Sequence, residues 1–131
     1  MIDFKNKKIS ETAVVVEISG VLSASNRDYF FDCIGDMLKS GVKHVVIECH
    51  KLGYLNSSGV ASLLVARRRA SRKGCRIYLT HLNSHMAEVL EVMKLGRILS
   101  VFATTEHAVA TFQNGYQFEH SRLEYQLNEY A

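Results

Sequence analysis

The stretch KLGYLNSSGVASLLVARRRAS, residues 51–71, sets a short polar knot, Asn56-Ser57-Ser58-Gly59, between two apolar segments. Adjacent hydroxyls ahead of an apolar run with helical spacing fit three kinds of chemistry. They can cap a helix, because Ser and Asn oxygens accept the first backbone N–H groups, which no intrahelical carbonyl reaches. A hydroxyl there can instead take a phosphoryl group and bring about −1.5 to −2 charge into a protein–protein contact. Or Ser57 or Ser58 can act as a nucleophile. That last role needs a base and an orienting acid, and the chain has neither a G-x-S-x-G elbow nor an assignable Asp–His pair. The phosphate loops G-x-x-x-x-G-K-[ST] and G-x-G-x-x-G are also missing. The chain is therefore expected to be no enzyme and to need no cofactor, while capping and phosphorylation both stay open.

Other reactive residue types are weaker signals. Of the six histidines only His81 and His85 stand at i, i+4, and they straddle an expected strand end and helix start, so no metal site is expected. Cys33, Cys49 and Cys75 are odd in number, far apart and set in apolar segments without a C-x-x-C pair, which predicts buried, reduced thiols that fill the core. Arg67, Arg68 and Arg69, followed by Arg72 and Lys73, point around much of one helix. Most residues in such runs are solvated, and one of them is placed to line an acidic partner.

These residues must be positioned by strands and helices. TAVVVEISGVL, KHVVIEC and CRIYLTHL are rich in β-branched residues and read as strands, with a short one at LSVFA. Phe30, Cys33, Ile34, Met37 and Leu38 predict a helix opened by Ser25 or Asn26 and closed near Gly41. The polar knot opens a second helix that buries Val60, Leu63 and Leu64 and ends at Gly74. Met86, Val89, Leu90 and Met93 mark a third, stopped by Gly96, and TEHAVATF a fourth, capped by Thr104 or Thr105 with Ala108, Val109 and Phe112 inward. Alternating strands and helices predict an α/β domain, with residues 43–49 as the central strand, buried on both faces. Ligands of such sheets gather at the carboxyl ends of the strands, where the knot lies. Residues 114–131 are polar, with Leu123, Leu127 and Tyr130 at helical spacing, which fits an extra helix or a frayed tail.

Composition narrows the function further. The 131 residues suit one domain, and 47% hydrophobic with 22% charged residues is the balance of a chain that folds unaided. A net charge of +3, not gathered on aromatic segments, argues against nucleic acid as partner. MIDFKNKKIS lacks the apolar core of a secretory signal and no run is long enough to cross a bilayer, so no membrane insertion and a cytoplasmic location are expected.

Residues 44–112, HVVIECHKLGYLNSSGVASLLVARRRASRKGCRIYLTHLNSHMAEVLEVMKLGRILSVFATTEHAVATF, together with VVVEISGVLSASNRDYF upstream, resemble the STAS domain of the anti-sigma factor antagonist family. The likeness spans about residues 9–113. It rests on a G-x-L turn before the first helix, a strand leading into a D-S-S-G-type loop, KG before the next strand, and KLGRILSVF after the third helix.

The resemblance implies a STAS-type fold, a mixed sheet of about four to five strands covered by about four helices. The domain would occupy residues 1–113, with residues 114–131 as a C-terminal tail or extra helix. It also implies a bacterial partner switch. The unmodified antagonist binds an anti-sigma factor that is a Ser/Thr protein kinase of the histidine-kinase-like ATPase class, and phosphorylation on the loop releases it. A PP2C-like serine phosphatase resets the switch, and ATP and magnesium belong to the kinase. Carried onto this chain, the phosphoacceptor is Ser57, with Ser58 as alternative, and the contact surface is Ser23, Ser25, Tyr54, Asn56, Ser57, Ser58, Gly59 and Val60. Two positions depart from the family pattern: Asn56 stands for the loop's usual Asp, and Ser23 for the Asp of the G-x-L-D turn. Both changes remove negative charge. They favour the alternative expectation, an unphosphorylated scaffold or adaptor subunit of a signalling or transport assembly.

Overall fold

The computed structural model describes residues 2–113. Strands β1 (Ile2–Ser10), β2 (Ala13–Gly20), β3 (His44–Leu52), β4 (Arg76–Thr80) and β5 (Ser100–Phe102) form one sheet in the order β1-β2-β3-β4-β5. β1 runs antiparallel to β2, and β2 to β5 are parallel. The four helices are α1 (Arg27–Lys39), α2 (Ser57–Arg72), α3 (Ser84–Val92) and α4 (Thr105–Gln113). This is the mixed α/β architecture that the alternating pattern predicts.

The central strand is β3, where Val45, Val46 and Ile47 are all fully buried, so that apolar side chains are wanted on both faces. Successive residues point to opposite sides, which sends Val45, Ile47 and Cys49 one way and His44, Val46 and Glu48 the other. The first set lies under α1. Its face continues through Val16 and Ile18 to Phe4, whose ring stacks on Phe30 of α1 at 6.1 Å, with α2 packed beside α1. The second set lies under α4, where Phe112 stacks on the His44 ring at 4.0 Å and the Tyr78 hydroxyl meets His44 Nδ1 at 2.9 Å.

Several local expectations change. β1 is a strand that the sequence pattern does not announce, because Lys5, Asn6, Lys7 and Lys8 are all exposed and only Ile2, Phe4 and Ile9 turn toward the core. As an edge strand it is guarded by its lysines, which discourage pairing with another chain. α3 ends at Val92, one residue before the last of the four periodic positions, and Met93 is 46% exposed. The left-handed turn after it is made by Lys94, at φ 57°, and not by Gly96. Cys49 and Cys75 are buried as expected, and burial pushes the Cys49 thiol up to about 12, but Cys33 sits half-exposed on α1. Leu64 is half-buried, and α2 buries Ser62, Ala66 and Ala70 besides Val60 and Leu63. The expectation for residues 114–131 lies outside the described residues.

Candidate functional site

At the carboxyl edge of the sheet three chain segments meet, and each is fixed by an asparagine. After β2, Asn26 Oδ1 accepts from Ser23 N at 3.0 Å and its Nδ2 donates to Val21 O at 2.8 Å, while the hydroxyls of Ser23 and Ser25 are 2.9 Å apart. Asn26 precedes α1 without capping it by its side chain, because that side chain is spent on the loop. After β3, Asn56 Oδ1 accepts from Gly59 N at 2.9 Å. After β4, Asn83 Oδ1 accepts from Met86 N at 2.8 Å, and its Nδ2 reaches across to Leu52 O and Gly53 O at 3.3 and 3.2 Å. These two Nδ2 bonds tie the start of α3 to the last residue of β3 and the one after it.

The two hydroxyls of the knot are thereby released from capping. Asn56 is the N-cap of α2, and Ser57 and Ser58 are its first and second helical residues. Ser57 is exposed and its hydroxyl has no hydrogen-bond partner among the described residues; Ser58 is half-buried, and its carbonyl accepts from Ser62 Oγ at 2.9 Å. Their backbone N–H groups belong to the first turn, where no carbonyl of the helix reaches them and the helix dipole is positive. An anion on Ser57 would sit beside those donors, the arrangement that favours phosphate at helix N-termini.

Gly59 explains the order of the motif. A Cβ built there would lie 2.9 Å from the Leu22 carbonyl oxygen and 2.9 Å from Leu55 Cδ1. Only glycine lets the first turn of α2 press against the loop that follows β2, which brings Ser23 and Ser25 to the same edge as Ser57. Gly53 tightens the same junction, with its N–H donating to Gly20 O at 2.6 Å. Tyr54, in the β3–α2 loop, is 51% exposed, an aromatic surface beside the hydroxyls. Of the remaining residues expected at the site, Gly59 and Val60 are buried, Val60 at 1% exposure, and Asn56 is half-buried.

Register also assembles a polar group that the sequence conceals. Glu17 of β2 pairs with Glu48 of β3, and with His50 they place ligand-type atoms within 4.8 Å of one another. Internal bonds occupy all three. His50 Nε2 lies 3.0 Å from Glu17 Oε2, Lys51 Nζ 3.4 Å from Glu17 Oε1, and the Thr105 hydroxyl donates to Glu48. Spacing along one strand cannot reveal such a group, since it depends on how two strands align.

The chain matches the family model described as Mlab, STAS domain, over residues 6–100. It is 24% identical over 96 residues to a Bordetella bronchiseptica protein named as an anti-sigma factor antagonist, BtrV, covering 73% of this chain and 83% of the relative. Among solved structures, an anti-sigma factor antagonist from Mycobacterium paratuberculosis superposes with a TM-score of 0.75 at 14% identity, over 87% of this chain and 96% of the other. The Bacillus cell fate determinant SpoIIAA in its phosphorylated form gives 0.62 at 22% identity, over 82% and 96%.

Proposed function

Because this chain belongs to the STAS domain family, we propose that it is a partner-switching regulator of the anti-sigma factor antagonist kind, controlled by phosphorylation of Ser57. The reading is carried by one observation: Ser57 is exposed at the first residue of α2 while Asn56 does the capping. A hydroxyl free of structural duty can be modified without dismantling the helix. The unmodified surface of Ser23, Ser25, Tyr54, Asn56, Ser57 and Ser58 docks an anti-sigma factor that is also a Ser/Thr kinase of the histidine-kinase-like ATPase class. That kinase transfers the γ-phosphoryl group of ATP to Ser57 Oγ, the hydroxyl proton leaves, and ADP is released.

The phosphate is tolerated within the domain by the helix N-terminus and rejected by the partner. With Asn56 and Ser23 in place of the family's acids, the loops beside Ser57 carry no carboxylate, so about −1.5 to −2 charge arrives with no acid of the loops to repel it. Each 1.4 kcal/mol lost at the interface is about a tenfold loss of affinity, and one desolvated charge supplies that easily. A PP2C-like phosphatase removes the group and restores binding. The similarity to BtrV, named as an anti-sigma factor antagonist, and to SpoIIAA, whose structure is of a phosphorylated form, supports this reading.

Incubation with the cognate kinase and ATP, followed by intact-mass and fragment analysis, tests it. A single phosphate on Ser57, lost in Ser57→Ala, together with weakened kinase binding by Ser57→Asp, is the expected result. Phosphate on neither Ser57 nor Ser58, or equal affinity of the Ala and Asp variants, would leave a permanent adaptor, the reading that Asn56 and Ser23 favour.

A further inference from the structure

At the opposite, amino edge of the parallel strands lies a cleft of about 420 Å³ between the far half of α2 and the starts of β3, β4 and β5. Its charged lining is wholly basic. Lys43 comes from the loop before β3, Arg67 from α2, Arg76 from the first residue of β4 and Arg97 from the loop before β5, with Ser71 and Ser100 between them. All four cations are exposed, and among the described residues the ion pairs involve other side chains: Lys8 with Glu11, and His50 and Lys51 with Glu17.

We propose that this cleft binds a compact anion made of two or more linked phosphate groups. Four like charges from four separate elements repel one another, and the arrangement is relieved by a ligand that neutralises several at once. Because they converge on one concavity instead of following a ridge, a compact polyanion fits better than an extended acidic segment. Arginine forks suit phosphoryl oxygens, which they can grip with paired N–H donors. Arg76 is already oriented: its Nε donates to Ser100 Oγ at 3.3 Å and its guanidinium lies 5.9 Å from the Tyr78 ring centre. The C-terminal end of α2 adds only about half a negative charge against them. The volume falls in the range of small-ligand sites, roughly 300–1,000 Å³.

The arginine run of α2 is divided by this geometry. Arg69 lies over the Phe31 ring of α1 at 4.5 Å, whereas Arg67 turns into the cleft. Ten positions of helix, roughly 15 Å, separate Arg67 from Ser57, so the cleft and the phosphoacceptor are distinct surfaces.

Isothermal titration of the full chain with inorganic tripolyphosphate, at fixed ionic strength, tests the proposal. One saturable site is expected, weakened about tenfold or more in the Arg76→Glu/Arg97→Glu double variant and in Lys43→Gln/Arg67→Gln. Lys5→Glu/Lys7→Glu on exposed β1 makes the first of these charge changes elsewhere and should leave the affinity within about twofold, as should Ser57→Ala. The side chains of the second pair make no hydrogen bond or ion pair among the described residues, which keeps the test available if Arg76→Glu disturbs the sheet edge. Absence of saturable binding, an equal loss in the β1 variant, or unchanged affinity in both cleft variants with native circular dichroism would overturn the proposal. So would a glutamate-rich decapeptide that binds the cleft as tightly as tripolyphosphate.

Discussion

At the carboxyl edge of the sheet Asn26, Asn56 and Asn83 hold the loops by neutral hydrogen bonds, whereas at the amino edge Lys43, Arg67, Arg76 and Arg97 surround an open cleft. The same helix, α2, connects the two. Its amino end needs acceptors for unpaired N–H groups and receives them from an amide side chain. At its carboxyl end Ala70 O and Ser71 O accept from the N–H groups of Lys73, Gly74 and Cys75, and the negative end of the helix dipole favours cations nearby. The contrast teaches where one added charge counts. The loops beside Ser57 carry no Asp, Glu, Lys or Arg, so a phosphate there changes the local field more than on the basic edge, where it would be one charge among several.

The largest effect that could break this contrast is expected at Gly59. Gly59→Ala drives a methyl group to 2.9 Å from the Leu22 carbonyl, a backbone atom with little freedom to retreat, and to 2.9 Å from Leu55 Cδ1, which can rotate away. A loss of about 1–3 kcal/mol in urea denaturation follows from overpacking at such a contact. A loss below about 0.5 kcal/mol, the level of an ordinary surface change, would mean that the two loops are not tightly joined and that the carboxyl edge is as open as the amino one.

Asn56 comes next. Asn56→Ala should cost about 1 kcal/mol, the usual value of a side-chain N-cap. Asn56→Asp, which keeps the acceptor to Gly59 N and returns the acid of the family pattern, should keep or raise the stability. The pair sharpens the comparison because the Asp variant changes charge at the carboxyl edge without changing its hydrogen bond. Kinase binding measured on both variants then separates the fold's requirement for a cap from the partner's requirement for charge.

How far these features could be read in advance depends on which interactions made them. Strands β2 to β5 and all four helices announce themselves because their buried residues recur at the spacing of the element, as Val45-Val46-Ile47 do on β3 and Met86 with Leu90 on α3. β1 does not, since its lysines serve the edge and only Ile2, Phe4 and Ile9 face inward. At the site, Asn56-Ser57-Ser58-Gly59 is visible as a helix start, but the division of labour within it is not. Asn56 Oδ1 takes the cap at Gly59 N, and the same Gly59 meets the Leu22 carbonyl, a contact between segments 37 positions apart that no local pattern encodes. The basic cleft is hidden for the same reason, since Lys43, Arg67, Arg76 and Arg97 come together only when the parallel strands align.

The smallest effect probes the amino edge without a ligand. His44 is among the residues that line the cleft, its ring stacks on Phe112, and its Nδ1 is engaged by the Tyr78 hydroxyl. Burial lowers its pKa below the usual 6.5, and the charge of Arg76 lowers it further. As pH falls the unfolded chain therefore takes up this proton first, so the contribution of neutral His44 to stability is present above about pH 6.5 and is lost as the pH drops through the folded value. Proton NMR of the histidine ring signals should show His44 titrating below 6.5. Arg76→Gln should move the midpoint up only part of the way, because burial is the larger cause. An unmoved midpoint would mean that the positive field stays at the rim and does not reach the sheet. A full return to 6.5 would mean that the field, more than burial, sets the state of the ring, and the difference between the two edges would then be electrostatic through and through.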